Sequence, residues 1–440
     1  MTYPQALQYL ESFTNYEKED GYNYNQSFRL DRMEKLVSLL GDPHKNIKSI
    51  HIGGTKGKGS TSAFAQSILK NAGFRVGLYT SPHLVSFTER IRINDALISE
   101  ADVARLLKKI KKAVDMMDDD RPTFFEVYTA LAYLYFKEKK VDFAVYEVGL
   151  GGRLDATNVI EPLVSAITPI SYEHTDKLGR TIREIAAEKA GIIKNGAVCV
   201  VAPQKKEAFA SIERIAKKRG ARLVVVGRDI KFKEIAVQGE KEIFTVSGIA
   251  GEYPMLETEL LGSHQVLNAA TAIGIIESLR FAGVMVSPDA IREGIASARW
   301  AGRLEIVARR PHIVLDGAQN KASANALAEA VKKIFKYKKL VLVFGVSKDK
   351  DIKGVLGQLL PISDSIIVTK AKIVGRAMDP DKIKKYIGLK HKNIIVTSNV
   401  KEAIKKAGKH ARPDDLILVT GSLFVVGEAR SLLCPDKMGV

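Results

Sequence analysis

Cysteine and tryptophan are nearly absent from this chain of 440 residues, which contains two cysteines and one tryptophan. Cys199 and Cys434 are too few and too far apart to form a disulfide framework or to supply a zinc site. A protein with so few cysteines fits a reducing compartment, and we expect it to be cytoplasmic.

Long hydrophobic runs are also missing. No segment approaches the ~18 apolar residues that could span a bilayer, and the first residues lack the basic and then apolar stretches of a secretory signal. We therefore expect neither membrane insertion nor secretion. The chain is 46% hydrophobic, which is enough for packed cores, and its length suggests two or three domains.

Acidic residues are scarce relative to basic ones. The chain has 68 Lys and Arg against 50 Asp and Glu, a formal net charge of +18. The basic residues come as scattered pairs and triplets without interleaved aromatics, which is typical of solvated helix faces and not of a nucleic-acid surface. A positive field would still concentrate polyanionic small molecules such as nucleotides. A nucleic-acid-dependent ATPase is the alternative that this charge suggests.

What the chain does have is a glycine-rich turn at residues 51–60, HIGGTKGKGS, between an apolar segment and a helical pattern at 61–71. Its glycines let backbone N–H groups turn inward, and a helix N-terminus adds partial positive charge, so the segment predicts a phosphate cradle. Lys58 would reach the outer phosphates, and Ser60 or Thr61 would face a magnesium ion. The spacing is irregular for G-x-x-x-x-G-K-[ST], so we interpret it as a variant P-loop. The alternative is a lysine-bearing surface turn.

A second chemical feature is residues 141–155, VDFAVYEVGLGGRLD, where an apolar strand leads into a glycine turn at Glu147. Ligands of parallel sheets gather at the carboxyl ends of strands, so Glu147 is placed to hold the magnesium of a bound nucleotide. A structural ion pair with a lysine is the alternative. Leu154 occupies the last glycine position of a dinucleotide fingerprint, which excludes a Rossmann cofactor site. Ser81 and His174 also follow predicted strands, but each alone is more typical of a structural residue.

Strand-length apolar segments alternate with helical patterns along most of the chain. The predicted strands lie at 75–80, 141–147, 163–168, 197–201, 222–226, 313–315, 340–345, 365–369, 393–397 and 415–420. This alternation predicts an α/β fold with a mostly parallel sheet covered on both faces. Period-two alternation at 229–247 predicts a small antiparallel hairpin at the sheet's edge.

A helical stretch ends near residues 298–303, and a new series of strands and helices begins there. We therefore expect a P-loop-containing domain over 1–298 and a smaller, Rossmann-like α/β domain over 299–440.

Short sequence blocks spread over nearly the whole chain match one enzyme family. The blocks are G-T-K-G-K-G-S (54–60), S-P-H-L and F-T-E-R-I (81–91), T-F-F-E (123–126), E-V-G-L-G-G-R-L-D-A-T-N (147–158), E-H-T-D-K-L-G-R-T (173–181), E-K-A-G-I-I-K (188–194), S-H-Q-V-L-N-A (263–269), W-A-G-R-L-E (300–305), D-G-A-Q-N (316–320) and K-D-K-D (348–351). Together they resemble folylpolyglutamate synthase/dihydrofolate synthase, a branch of the Mur-ligase-like ATP-dependent amide-bond-forming enzymes.

The resemblance implies a ligase that joins L-glutamate to a reduced folate or to dihydropteroate, using ATP and Mg²⁺ and an acyl-phosphate intermediate. The implied ATP contacts are Gly57, Lys58, Gly59, Ser60, Asn268, Arg303 and Asp316. The implied magnesium ligands are Ser81, Glu147 and His174. The implied contacts with the pterin side of the substrate are Thr123, Phe124, Phe125, Glu126, Arg153, Leu154 and Asp155.

The resemblance also implies catalytic roles for Lys58, Glu147, His174 and Lys189. Lysines at the position of Lys189 are commonly carbamylated in this family, which would make Lys189 an anionic magnesium-site ligand. The sequence alone favours an ordinary solvated helix lysine there.

Three positions differ from the usual family pattern. Gln319 replaces the histidine of D-G-A-H-N, so a neutral amide would have to serve there. Lys56 stands where asparagine is usual, adding charge near the phosphates, and Gly53 stands where alanine is common.

Several functions stay open at this point. Within the enzyme class they are a bifunctional ligase, a ligase specific for folate or for dihydropteroate, and a Mur-type peptide ligase. A nucleotide-binding module without enzymatic activity is a further alternative. We expect a monomer that acts on small molecules, with neither a nucleic acid nor a membrane as its partner.

Overall fold

The computed structural model describes residues 1–17, 22–118, 120–372, 376–388 and 393–435. Strands in these ranges form sheets of eight, three and six strands. The predicted α/β fold with a mostly parallel sheet and a second, smaller α/β unit is confirmed. Within the same ranges, no helix is both long enough and apolar enough to cross a bilayer.

The largest sheet carries the glycine-rich turn. Its strands are β1 (Lys48–Gly53), β2 (Val76–Tyr79), β3 (Ile91–Ile93), β4 (Ala96–Leu97), β5 (Phe143–Glu147), β6 (Val164–Ile167), β7 (Val198–Val201) and β8 (Arg222–Val225). They lie in the order β4-β3-β2-β5-β1-β6-β7-β8. β3 pairs antiparallel with β2 and with β4, and the other pairs are parallel. The carboxyl ends of β1, β2, β5 and β6 therefore meet at one edge, where such sheets bind ligands.

Helices cover both faces of this sheet. They are α1 (Tyr3–Glu11), α2 (Tyr24–Ser27), α3 (Leu30–Leu39), α4 (Lys58–Asn71), α5 (Glu100–Val114), α6 (Phe124–Glu138), α7 (Thr175–Leu178), α8 (Ile182–Ala190), α9 (Lys206–Lys218), α10 (Ser263–Ser278) and α11 (Pro288–Ser297). Short 3₁₀ helices span Phe87–Arg90, Ala156–Val159 and Leu279–Ala282.

Alternation along the central strand β5 explains why the sheet needs helices on both sides. Phe143 and Val145 belong to the core shared with α4, α10 and α11, whereas Ala144 and Tyr146 belong to the core shared with α1, α3, α5 and α6. Both sets of side chains are buried. An apolar strand of this kind is stable only when both of its faces are covered.

The predicted hairpin is part of a separate three-stranded antiparallel sheet. Its strands are β9 (Lys231–Gln238), β10 (Lys241–Ser247) and β11 (Glu252–Thr258), in the order β11-β10-β9. The prediction of a hairpin is confirmed. Its predicted place at the edge of the large sheet is wrong, because these strands form their own sheet and pack against α10 and α11. Pro254 within β11 weakens the strand signal, since proline is unusual inside strands.

The C-terminal sheet begins after α11. Its strands are β12 (Glu305–Arg309), β13 (His312–Leu315), β14 (Leu340–Phe344), β15 (Ser365–Val368), β16 (Ile394–Val396) and β17 (Leu416–Thr420). Their order is β12-β13-β17-β14-β15-β16, and only the β12-β13 pair among them is antiparallel in the described ranges.

The helices of this part are α12 (Lys321–Ile334), α13 (Ile352–Leu359), α14 (Pro380–Ile387), α15 (Val400–His410) and α16 (Leu423–Leu433), with a 3₁₀ helix at Leu360–Ile362. Helices α12 to α14 share one core with the sheet, and α15 and α16 share the core on its other face.

Candidate active site

A cavity of about 1320 Å³ opens at the carboxyl edge of the large sheet and is lined by residues of both α/β units. The large sheet contributes residues 55–60 and the loops that follow β2, β5 and β6, and the C-terminal unit contributes residues 316–320 and 349–351. The segments that the sequence singled out independently thus face one space.

The glycine-rich turn connects β1 to α4 as predicted, although α4 begins at Lys58, three residues before the predicted helix. Gly57 occupies the cap position with a φ of +85°. A Cβ atom there would lie 2.2 Å from Asn268 Oδ1, so this turn accepts only glycine. Gly57 offers no side-chain oxygen to the first N–H groups of α4, which leaves these donors for an anion in the cavity.

Lys58 and Glu147 meet at the floor of the cavity. Lys58 Nζ lies 3.9 Å from Glu147 Oε1, and the backbone N–H of Ser81 donates to Glu147 Oε2 at 3.3 Å. Burial raises the pKa of Glu147 above its usual value, and Lys58 opposes that shift. A buried carboxylate with such long contacts fits an additional cation.

His174 reaches the same cavity from the loop after β6, at the start of α7. Burial lowers the pKa of His174 to about 4, so its imidazole is neutral near pH 7 and can act as a ligand. Among the described residues, no three His, Cys, Asp or Glu side chains form a ready metal cluster. A site built from Glu147, His174 and Ser81 still fits Mg²⁺, because that ion usually keeps several waters and binds substrate phosphates.

Lys189 lies in α8 with only 5% of its surface exposed, so the interpretation as a solvated helix lysine is wrong. Its Nζ donates to the carbonyl oxygen of Gly54 at 2.9 Å, directly behind the P-loop. Burial lowers the pKa of Lys189 to about 7.

The other predicted ATP contacts also line the cavity. Asn268 lies against Gly57 and donates to Gln265 Oε1 at 2.9 Å. Asp316 accepts the backbone N–H groups of Leu304 at 3.0 Å and Ala318 at 2.9 Å. Its carboxylate therefore fixes the backbone next to Arg303, which faces the cavity from the C-terminal side.

Six of the seven residues predicted to contact the pterin side line the cavity: Thr123, Phe124, Phe125, Glu126, Leu154 and Asp155. Arg153 does not reach it, because its guanidinium bonds to Glu188 at 2.9 Å and to Asn25 at 3.0 Å outside the wall. Within the wall, Glu126 is held by Arg32 at 2.8 Å and by the N–H of Thr123 at 2.7 Å. Its carboxylate thus caps α6 and shapes the wall.

Asp155 is fully buried and organises the glycine turn after β5. Its Oδ2 accepts the N–H groups of Gly149 at 3.0 Å and Leu150 at 2.9 Å, and its Oδ1 accepts the N–H of Thr157 at 3.0 Å. Burial raises the pKa of Asp155, and the Thr157 hydroxyl opposes this most strongly. The polar role of Asp155 is therefore to hold the loop that follows Glu147.

Sequence reasoning missed several lining residues. Tyr16, Tyr22 and Phe28 form an aromatic wall, with ring centroids 4.4 to 5.8 Å apart. Aromatic enrichment near the N-terminus was the available signal. Trp300, the single tryptophan, lies 2.9 Å from where a Cβ atom on Gly59 would be.

Two cations of the C-terminal unit, Lys350 and Arg376, also face the cavity. Both pair with Asp349, at 2.9 Å and 3.4 Å respectively. Lys350 stands in the sequence block K-D-K-D (348–351), whereas no sequence signal distinguishes Arg376 from the many other basic residues of that unit. Gln319 lines the cavity as well, and its backbone N–H donates to Ser323 Oγ at 3.2 Å.

Comparison with known proteins agrees with this geometry. The sequence matches the Mur ligase middle domain over residues 52–276 and the Mur ligase glutamate ligase domain over residues 302–423. The fold and site thus define a Mur-type, ATP-dependent amide-bond ligase.

Individual relatives narrow that class. The chain is 37% identical over 410 residues to a dihydrofolate synthase/folylpolyglutamate synthase of Bacillus subtilis, covering 92% of this chain and 94% of the relative. Within the Mur ligases, the chain belongs to the dihydrofolate synthase/folylpolyglutamate synthase family. It spans about half the length of two probable bifunctional folylpolyglutamate synthase/dihydropteroate synthases, from Halobacterium salinarum (52%) and Haloferax volcanii (50%).

Solved structures agree in fold. Mycobacterium tuberculosis folylpolyglutamate synthase complexed with ADP superposes with a TM-score of 0.90 and 33% identity, covering 99% of this chain and 98% of that one. Escherichia coli FolC in complex with DHPP and ADP superposes with a TM-score of 0.87 and 31% identity, covering 99% of both chains.

Proposed function

We propose that the protein ligates L-glutamate to the carboxylate of a reduced folate and of dihydropteroate through an acyl phosphate. The observation that carries this proposal is one cavity that combines the P-loop, the Lys58–Glu147 pair and an aromatic wall with cations of the C-terminal unit. ADP bound to two similar proteins supports the use of ATP, and DHPP bound together with ADP in one of them supports a second substrate.

Phosphoryl transfer comes first, because a carboxylate is a poor electrophile. A carboxylate oxygen of the folate substrate attacks the γ-phosphorus of ATP, and the bond to the bridging oxygen breaks to release ADP. Lys58 and the N–H donors of α4 stabilise the charge on the phosphoryl oxygens. Ser81, Glu147 and His174 would hold Mg²⁺, which supplies further positive charge when bound.

Amide formation follows within the same cavity. The amine of glutamate attacks the acyl carbon, the amine loses a proton, and inorganic phosphate leaves with the electrons of the broken C–O bond. Exclusion of water protects the acyl phosphate at this stage, and the two-sided cavity suits that purpose.

Substrate recognition is assigned to two different walls. Thr123–Glu126, Leu154 and Asp155, with the rings of Tyr16 and Phe28, form the proposed pterin side. Lys350 and Arg376 are the proposed partners of the incoming glutamate's carboxylates. Both share Asp349 in the structure, so a substrate carboxylate would complete the neutralisation of two cations.

Carbamylation of Lys189 is a further part of the proposal. Only a neutral amine reacts with CO₂, and the lowered pKa of Lys189 leaves a large neutral fraction near pH 7. Burial would protect the product, and the position beneath Gly54 would direct its negative charge toward the phosphate and magnesium region.

We also infer that the domains divide at 298/299 and that the protein acts as a monomer. The connection between α11 and β12 is where one α/β unit gives way to the next. Both walls of the cavity come from one chain, so the site needs no partner subunit.

The test is product analysis by mass spectrometry with ATP, Mg²⁺ and glutamate. Dihydropteroate and tetrahydrofolate are supplied separately, and each product is expected to gain one glutamyl residue. Substrate labelled with ¹⁸O in its carboxylate should deliver one labelled oxygen to inorganic phosphate. Lys58→Ala should abolish both products while its circular dichroism spectrum stays unchanged. Failure of the wild-type protein on both substrates would refute the assignment, and ATPase stimulation by DNA or RNA would favour the nucleic-acid alternative.

A further inference from the structure

Lys56, the unusual lysine of the P-loop, makes a two-point contact with Glu173. Its Nζ lies 2.9 Å from Glu173 Oε1 and 3.0 Å from Oε2. The side chains of Lys56 and Glu173 are 35% and 23% exposed, so water screens the pair only in part. The ammonium group is thus engaged by a carboxylate of the loop after β6.

Backbone contacts fix the same loop to the P-loop. The N–H groups of Thr55 and Lys56 both donate to the carbonyl oxygen of Pro169 at 3.1 Å. Thr55 Oγ1 accepts the N–H of Ser171 at 3.2 Å. Glu173 therefore stands at a defined place relative to the nucleotide site.

Across the cavity, Asn320 Nδ2 lies 3.5 Å from Glu173 Oε1. Asn320 is the N-cap of α12, and its Oδ1 accepts the N–H of Ser323 at 3.0 Å. The cap uses the oxygen of the amide, which leaves its NH₂ group for Glu173. A series of polar contacts thus runs from Lys56 through Glu173 to Asn320. It joins the P-loop to the start of α12 in the C-terminal unit.

We propose that Lys56 and Glu173 are positioning residues whose ion pair holds the start of α12 against the P-loop for glutamate transfer. This inference rests on the proposed function, because ligation is its main readout. A small displacement of α12 would move the C-terminal wall relative to the acyl phosphate, and displacements near 1 Å are costly for such reactions. The competing role for Lys56 is direct contact with ATP phosphates.

The experiment is a double-mutant cycle with Lys56→Met, Glu173→Gln and the combined variant. Each single variant is expected to lower kcat/KM for glutamate roughly tenfold, and the combined variant should lose no more than the worse single one. The Kd of ADP, followed by the fluorescence of Trp300 beside Gly59, should change by less than about threefold in all of them. Lys56→Arg should restore most of the activity, because arginine can also pair with Glu173.

Asn320→Asp gives an independent arm. Aspartate caps a helix as well as asparagine does, but it places a second carboxylate against Glu173. The variant should lose activity with Glu173 present, and in the Glu173→Gln background it should cause no loss beyond that of Glu173→Gln alone.

The matched control is Lys139→Met. Lys139 pairs with Asp102 at 3.3 Å, with side chains 33% and 18% exposed, and the pair lies away from the cavity. This variant should keep wild-type kinetics. Circular dichroism and thermal melting of every variant confirm folding.

Additive losses of kcat/KM in the double-mutant cycle would overturn the proposed joint role of Lys56 and Glu173. So would a loss of ADP affinity in Lys56→Met that equals its loss of kcat/KM, because Lys56 would then act on the phosphates. Absence of ligation by the wild-type protein refutes the proposed function instead, so the two failures are distinguishable.

Discussion

Gly57→Ala is the substitution for which the structure makes the sharpest functional prediction. An alanine at a φ of +85° carries a left-handed strain of about 1–2 kcal/mol. In addition, its Cβ atom would lie 2.2 Å from Asn268 Oδ1, whereas ordinary contact begins near 3.4 Å. The P-loop or Asn268 must therefore move by about 1 Å, and a shift of that size costs about 100-fold in catalysis.

Gly73→Ala is a matched control for the strain alone. Gly73 has a φ of +89°, and a Cβ atom built on it meets nothing within 4 Å among the described atoms. Gly73→Ala should lower the free energy of unfolding by about 1–2 kcal/mol in urea denaturation, and Gly57→Ala should lose at least as much. Only Gly57→Ala should also lose ATP affinity and kcat/KM, by about 100-fold in kcat/KM.

The assay is steady-state ligation together with ADP titration of each variant. If Gly57→Ala kept kcat/KM within about threefold of Gly73→Ala, the close contact between the P-loop and Asn268 would not control the nucleotide site. If Gly73→Ala were as inactive as Gly57→Ala, the effect would belong to backbone strain in general.

Three further predictions concern buried ionisable groups. Arg32→Met should lower the free energy of unfolding by about 3–5 kcal/mol, because it leaves Glu126 buried without its cation, while Arg32→Met combined with Glu126→Gln should lose less in the same denaturation assay. Burial lowers the pKa of His51 from 6.5 to about 3, so the unfolded chain binds the extra proton between these values, and the free energy of unfolding should fall as pH drops from about 6.5 to about 3. His51→Asn should flatten that dependence. Mass spectrometry of the intact protein should reveal one bound CO₂ in bicarbonate buffer, and Lys189→Met should lose both this adduct and ligase activity.

Sequence patterns predicted the strands most reliably where the residues of a short segment themselves favour a buried strand. The buried parallel strands β14 and β17 are continuous apolar runs rich in β-branched residues, so their existence follows from composition. Strands β3, β4, β11 and β12 escaped prediction. β3 and β4 have three and two residues, too few to show a period, and β11 is interrupted by Pro254. Their pairing partners are near in sequence, since β3 pairs with β2 and β4 and β11 pairs with β10, but strands this short or interrupted carry no pattern of their own.

The candidate site shows the same division. From the sequence alone, the glycine spacing indicated Lys58 as a phosphate contact, and the acid at the end of β5 indicated Glu147 as a magnesium ligand. The environment of Lys189 could not be foreseen, because a helical lysine has the same local sequence whether its face is buried or solvated. Arg153 lies in a family block, yet its guanidinium turns outward to Glu188.

The sequence by itself determined the fold class, the phosphate-binding turn and the family, because each depends on residue types at short, fixed spacings. Tertiary structure alone decided which distant groups meet: Gly57 with Asn268, Lys189 with Gly54, and Lys56 with Glu173 near Asn320. Such contacts join segments separated by more than a hundred residues, and only the packing of strands, helices and the two α/β units fixes their distances. Burial, which sets the protonation of the lysine, histidine and carboxylate groups around the cavity, is likewise a property of the folded chain.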